Sequence, residues 1–173
     1  MPDSSAQPAT DAPAVDPLAL RKALGQFATG VCIVASPPVA GEAHPFAITV
    51  NSFASVSLEP PMVLWSVQKD STTYALWLET RQFGISVLSA DQAAVCDQFA
   101  VRGNHAMTDP DGYVLSASGS PLVPGAVATF DCRVHAIHDA GDHKLILADV
   151  LAFASDASSE PLIYVRGGVH GSS

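Results

Sequence analysis

Phe46-Ala-Ile-Thr-Val-Asn-Ser-Phe-Ala-Ser-Val-Ser-Leu58 holds two strand patterns that do not share one register. Phe46, Ile48 and Val50 alternate with Ala47, Thr49 and Asn51, the period-2 pattern of a strand with one apolar face. The alternation slips at Ser52-Phe53 and resumes with Val56 and Leu58. A one-residue slip in a straight strand would turn every side chain to the wrong face. A bulge or sharp bend near Asn51-Ser52 keeps both halves in register. A bent β segment with small polar residues at the bend is therefore expected here.

The flanking sequence extends the β pattern. Asp16-Pro17 marks a helix start, with Asp as cap and Pro in the first turn. Leu20, Ala23, Leu24 and Phe27 then fall on one face, which is expected to be buried, and Thr29-Gly30 ends the helix. Val31 to Ala35 is a short apolar strand. Pro60-Pro61 stops the bent segment, and Met62 to Val67 is a buried strand. Tyr74, Leu76, Trp77 and Leu78 mark a short helix, and Phe83 to Leu88 another strand. Ser89 with Gln92 forms a capping-box pattern ahead of a helix through Val95 and Phe99. Residues 101–125 are mostly loop, with a brief strand at Tyr113 to Leu115. Phe130 to Ile137 and Lys144 to Phe153 are long strands joined by the turn signal Asp139-Ala-Gly-Asp142. In the second, Leu145, Leu147 and Leu151 lie on one face and Ile146, Ala148 and Val150 on the other. One face is expected to meet the interior and the other a helix or a second subunit. Pro161 to Arg166 is a last strand.

About six or seven strands and two or three short helices result, without β-α-β alternation, so a closed antiparallel barrel suits the pattern better than a Rossmann fold. Residues 1–15 are poor in large apolar groups and are expected to form a disordered tail. Residues 16–170 make one domain.

The chain has 173 residues, 48% of them hydrophobic and 14% charged. It is apolar for its size, which points to surface covered by another subunit. No apolar run approaches the roughly 18 residues that span a bilayer. The net charge of −9, from 17 acidic and 8 basic residues, disfavours nucleic acid or an anionic membrane as partner. It leaves room for a phosphate-bearing ligand held by backbone N–H groups. Three cysteines, Cys32, Cys96 and Cys132, form no Cys-x-x-Cys pair. Cys32 and Cys132 are expected to be core residues. The N-terminus lacks a secretory pattern, so a cytoplasmic location is expected.

Three places carry candidate chemistry. At Thr49-Val50-Asn51-Ser52-Phe53, a bend would free backbone groups beside small side chains, which suits the edge of a flat heteroaromatic ring; an ordinary bulge is the competing reading. From Ser66 to Thr73, a helix start with Ser71, Thr72, Thr73 and Lys69 would suit a phosphate; simple capping by Asp70 or Ser71 competes. At Gly141-Asp142-His143, a histidine at a strand rim would meet a carboxamide, or stand as an exposed turn residue. Arg166 and His170 would contact phosphate or ribose, or be solvated. His135 and His138, three apart in a strand, point to opposite faces, so no metal site is expected. G-x-S-x-G, H-E-x-x-H and G-x-G-x-x-G are all absent from the sequence.

The order of several motifs resembles the flavin reductase-like family, the small reductase components of two-component flavin monooxygenases. These are Phe27-Ala-Thr-Gly-Val31, Thr49 to Leu58 with Pro60-Pro61, Phe83-Gly-Ile-Ser-Val-Leu88 with Asp91-Gln92, Gly141-Asp-His143, and Pro161-Leu-Ile-Tyr164. The resemblance implies a homodimeric, six-stranded antiparallel split β-barrel with a Greek-key path and a few short helices. It implies hydride transfer from NADH or NADPH to FMN or FAD, with reduced flavin passing to a flavin-dependent monooxygenase. It places Ala47, Thr49, Val50, Asn51 and Ser52 along the flavin ring. Ser66, Val67, Lys69, Ser71 and Thr72 fall at the flavin phosphate, and Phe99 and Ala100 along the flavin. His143 would place the nicotinamide, while Tyr164 and Arg166 border the same pocket. Val101 to Met107, the Tyr164 to His170 end and Val50 depart from the family pattern, the first two where cofactor preference is set. Two alternatives stay open: a pyridoxamine-phosphate-oxidase-like FMN oxidase and a non-catalytic flavin-binding module.

Overall fold

The computed structural model describes residues 15–39 and 41–171. The tail expected over residues 1–15 falls, apart from Val15, outside them. In chain order the elements are α1 (Pro17–Leu24), β1 (Thr29–Gly30), β2 (Cys32–Ser36), β3 (Phe46–Val50), β4 (Ala54–Leu58), β5 (Pro61–Gln68) and α2 (Tyr74–Glu79). There follow β6 (Gln82–Val87), α3 (Ala93–Ala100), β7 (Val114–Leu115), β8 (Pro121–Leu122), β9 (Ala128–Ala140), β10 (His143–Ser155), β11 (Ile163–Val165) and β12 (Gly168–His170). Among the described residues the protein is mainly β, with antiparallel sheets and three short helices.

The principal sheet has seven strands in the order β3-β2-β6-β9-β10-β5-β4, one more than the six expected. Smaller sheets are formed by β1-β11-β12 and by β7-β8. The two edge strands, β3 and β4, are successive in the chain and joined only by residues 51–53. No ladder pairs them among the described residues, so the sheet is not closed by hydrogen bonds. A three-residue link spans at most about 10 Å, so the sheet must curl until its edges meet. The expected break in register at Asn51-Ser52 is this link.

The curl encloses the core. Trp65 on β5 and Phe83 on β6, three strands apart in the sheet, have ring centroids 5.9 Å apart. Trp77 of α2 lies 4.8 Å from both Trp65 and Phe46, edge to face. All four rings are fully buried, and each such side chain contributes roughly 2–3 kcal/mol over the exposed state. A second apolar cluster covers the outer face of β2 and β3, where Ile33 and Ala47 meet Phe99 of α3 and Leu162. Covering on both faces explains why all five residues of β2 are buried. Cys32, Cys96 and Cys132 are free and buried. Burial pushes the thiols of Cys32 and Cys132 up to about 12.

β9 and β10 form a long hairpin through Gly141-Asp142, with Gly141 at φ +61°, where glycine is the cheapest residue. Ile146 and Ala148 face the core as expected. The other face is uncovered: Leu145 and Leu151 are exposed, as is Phe153 beyond them.

α1 departs from expectation. Asp16 caps it, accepting from Leu18 N–H at 3.0 Å. It stops at Leu24, where the Gly25 N–H donates to Arg21 O, and Thr29-Gly30 is a strand paired with β11. Leu20, Leu24 and Phe27 are exposed rather than buried, Phe27 at 77%. α1 buries neither face: Leu18, Arg21, Lys22 and Gly25 are turned toward the β11–β12 turn, and Leu18 is exposed as well. The capping box ahead of α3 is half-formed: Ser89 N–H donates to Gln92 Oε1 at 3.0 Å, and the helix begins only at Ala93.

The 116–123 loop is clamped to the sheet. The buried Asp131 carboxylate accepts from Ser118 Oγ at 2.6 Å and from Ser118 N–H at 3.2 Å. Ser86 Oγ accepts from Val123 N–H at 2.9 Å. This seats Pro121 directly on Gly84, where an added Cβ would collide with the Pro121 carbonyl and Leu122. Gly84→Ala is therefore expected to destabilise the protein by about 2 kcal/mol or more. A denaturant midpoint equal to that of the unmodified chain would contradict the clamp.

Candidate functional site

β3 is an edge strand, and the backbone at its start is met by the chain that follows α3. Ala47 N–H donates to His105 O and Met107 N–H donates to Pro45 O, each at 2.8 Å. α3 itself is pinned to β3 by Thr49 Oγ1, which donates to Cys96 O at 2.7 Å. The 101–105 loop thus lies along β3 and faces the 68–73 segment that leads from β5 into α2. Arg102 crosses between them, donating to Asp70 O at 2.9 Å, with its other terminal nitrogen 3.8 Å from the Asp70 carboxylate. The walls bound an open cleft of about 610 Å³.

Small apolar and polar groups share this cleft. Ala47, Phe99 and Ala100 line one side, and Ser71, Thr72 and Arg102 another. Thr73 is buried and structural: its Oγ1 accepts from Trp77 Nε1 at 3.1 Å and lies 3.0 Å from Ser71 Oγ. Thr73, rather than Asp70 or Ser71, occupies the cap position of α2, and its side chain makes no cap bond. Ser71 is thereby oriented by Thr73 instead of capping the helix. His105 also lines the cleft, and its Nδ1 is buried with no partner among the described residues.

A second cleft, of about 590 Å³, adjoins the first, since Ala100 lines both. Thr49, Val50, Asn51 and Tyr164 line it. The bend and β5 touch directly: Ser52 Oγ accepts from Ser66 N–H at 3.0 Å and lies 3.3 Å from Ser66 O, to which it donates.

The sequence-derived candidates therefore divide. Ala47, Ser71, Thr72, Phe99 and Ala100 gather in the first cleft, and Thr49, Val50, Asn51 and Tyr164 in the second. Ser52 and Ser66 join the bend to β5. The Val67 side chain is in the core, 1% exposed, so only its backbone is free to meet a ligand. Lys69 is drawn to the β9–β10 turn, donating to Gly141 O at 2.7 Å and pairing with Asp139 at 3.0 Å. Hydrogen bonds from Lys144 and then Lys69 hold the Asp139 carboxyl below the usual range.

His143 lies opposite Gln68, a residue of the first cleft, in the β10–β5 ladder. Its Nδ1 is 2.7 Å from Asp142 Oδ1, and that hydrogen bond holds the Asp142 carboxyl below its ordinary value. Arg166 stands apart at the β11–β12 turn with φ +52°, a conformation that costs a non-glycine residue roughly 1 kcal/mol. His135 is 3.0 Å from Asp149. Among the described residues no three metal-ligating side chains come together, and no helix is long and apolar enough to cross a membrane.

Gln68, Arg102 and His105 were not among the sequence-derived candidates. Arg102 had a signal, a lone cation in a Gly/Asn loop of an acidic chain. His105 had none, because its place depends on the loop folding back on Pro45 to Ala47.

An antiparallel β fold with a hydroxyl- and guanidinium-lined cleft against one short helix defines a small β-protein suited to a phosphorylated aromatic ligand. The chain belongs to the flavin reductase-like domain family, whose model matches residues 24–173. It is 44% identical over 147 residues to the FMN reductase (NADH) SmoA of Agrobacterium fabrum, covering 85% of this chain and 81% of that one. It is 34% identical over 164 residues to the flavin-dependent monooxygenase reductase subunit HsaB of Rhodococcus jostii, covering 92% and 80%. The solved structure of the NADH:FAD oxidoreductase SgcE6 of Streptomyces globisporus superposes with a TM-score of 0.83 at 33% identity, covering 94% of this chain and 98% of that one.

Proposed function

We propose that this chain is an NAD(P)H-dependent flavin reductase that passes a hydride from NADH or NADPH to FMN or FAD and supplies reduced flavin to a partner monooxygenase. One observation carries the reading: the bend at 51–53, the 66–73 segment and the end of α3 converge on adjoining clefts. Those clefts offer small apolar walls, the hydroxyls of Ser71 and Thr72 among others, and a guanidinium. The donor set suits a flavin, with Ser71, Thr72 and Arg102 at its phosphate. Ala47, Thr49 to Ser52, Phe99 and Ala100 border its ring. Ser66 and Val67 contribute through backbone, and the unpartnered His105 Nδ1 supplies a further polar contact. The names carried by its relatives support the same chemistry.

When bound, the flavin supplies a two-electron acceptor for the nicotinamide hydride. The chain's own residues bind, orient and exclude water; hydride transfer between stacked rings asks for no protein acid or base. His143, steadied by Asp142, places the nicotinamide, and Tyr164 and Arg166 border its path.

The curled seven-stranded sheet is read as the split barrel with a Greek-key path, one domain over residues 16–170. Leu20, Leu24 and Phe27 at α1, with Leu151 and Phe153 on β10, are apolar and exposed, which supports a homodimer that covers them. A cytoplasmic location is part of this proposal.

Anaerobic mixing of the protein with each flavin and each nicotinamide tests the activity. Loss of the oxidised-flavin absorbance with NADH or NADPH is expected; flavin binding without such bleaching would overturn the reading. Ser71→Asp places a carboxylate beside the flavin phosphate and is expected to weaken flavin binding roughly tenfold or more. Unchanged affinity in a titration would move the phosphate elsewhere. His143→Ala is expected to raise KM for the nicotinamide more than it weakens flavin binding. Stopped-flow titrations with the opposite order would reject that role.

A further inference from the structure

A third cleft, of about 950 Å³, opens between α1 and the β11–β12 turn. Arg21, Lys22 and Arg166 line it together with Leu18, Gln26 and Tyr164. Three of the chain's eight Lys and Arg residues thus meet in one place on a protein of net charge −9. No carboxylate lines the cleft, and among the described residues none of the three cations is in an ion pair. Of the other five, Lys69, Arg102, Arg133 and Lys144 each have an acidic partner, and Arg81 has none among the described residues.

The arrangement is built rather than incidental. On α1, Leu18, Arg21, Lys22 and Gly25 share one face by their 3-4-3 spacing, and Leu20, Ala23 and Leu24 share the opposite one. The helix turns the cationic face toward the cleft and leaves the apolar face outward. Placement in the last turn of α1 suits Arg21 and Lys22 through the helix dipole. It gives no reason to bring Arg166 beside them. Arg166 is nonetheless held there: its N–H donates to Gly25 O at 2.7 Å, and its Nε donates to Gln26 Oε1 at 3.0 Å. Its backbone is in the left-handed region at φ +52°, where glycine would be favoured. Three cations without ion pairs lining one cleft, one of them on a strained turn, suit an anion.

The position of the cleft limits which anion. Tyr164 lines both this cleft and the one at Thr49 to Asn51, and Ala100 links the latter to the Ser71–Arg102 cleft. The cation cleft is therefore a neighbour of the clefts proposed for the flavin. We infer that the Arg21–Lys22–Arg166 cleft is an anion subsite for the adenosine-diphosphate part of a dinucleotide, distinct from the flavin-phosphate end at Ser71 and Arg102. This rests on the reductase reading for its ligand class. The group meant is that of the nicotinamide cofactor: in FAD the adenosine-diphosphate group includes the phosphate on the ribityl chain, which the proposed site holds at Ser71 and Arg102.

ADP itself is the probe. Calorimetric titration of the full chain with ADP is compared for the unmodified protein, R21Q/K22Q and R166G. R166G gives the turn its favoured residue, so its Tm is expected to stay at or above that of the parent while ADP binding falls. Both variants are expected to weaken ADP roughly tenfold or more, the scale of losing a charge-assisted phosphate contact. A raised KM for NADH with FMN as acceptor assigns the group to the nicotinamide cofactor. A fall in the ratio of FAD to FMN affinity with KM for NADH unchanged would overturn that assignment. ADP binding that the variants share with the parent, or no ADP binding by the parent at millimolar concentration, overturns the subsite. Loss of ADP binding in the variants of a protein that bleaches no flavin would keep the subsite and remove the reductase reading. A working reductase indifferent to these cations would do the reverse.

Discussion

Three residues, Asn51 to Phe53, join the two opposite edges of a seven-stranded sheet, and that short tether constrains everything around it. An open sheet of this width would hold its edge strands far apart. With so short a link, the sheet has to roll until the end of β3 and the start of β4 come together. The roll creates an interior, and Trp65, Trp77, Phe46 and Phe83 fill it edge to face. No hydrogen-bonded ladder seals the seam. Ser52 bonds both backbone groups of Ser66 instead, fastening the bend to β5.

The unsealed seam is also what makes room for a site. β3 keeps a free edge, and the 105–107 segment bonds Ala47 N–H and Pro45 O at its start. That brings the loop after α3 over the start of α2, with Arg102 spanning the gap to Asp70. The chemistry then depends on preorganisation, which suits a reaction between two bound rings better than one relying on a titrating side chain.

Much of this was legible in the sequence where the pattern is local. The slip at Ser52-Phe53 located the tether, the long apolar strands located β9 and β10, and Asp16-Pro17 located the start of α1. The gathering of Ala47, Ser71 and Ala100 followed from motif order. What was not legible depends on three-dimensional context. Lys69 looked available for a phosphate, yet the β9–β10 turn comes close enough for Gly141 and Asp139 to hold its ammonium. The face of α1 was misassigned because apolar periodicity identifies an amphipathic helix without saying which face meets this subunit. The sixth and seventh strands could not be told apart by count, because β3 and β4 come from one continuous run.

Backbone amide exchange with and without FMN tests the central claim most directly, because it reports on all three segments at once. The account predicts that saturating FMN slows exchange together in residues 47–53, 69–73 and 101–105. Protection confined to one of these segments, or falling on the far end of the β9–β10 hairpin instead, would contradict it.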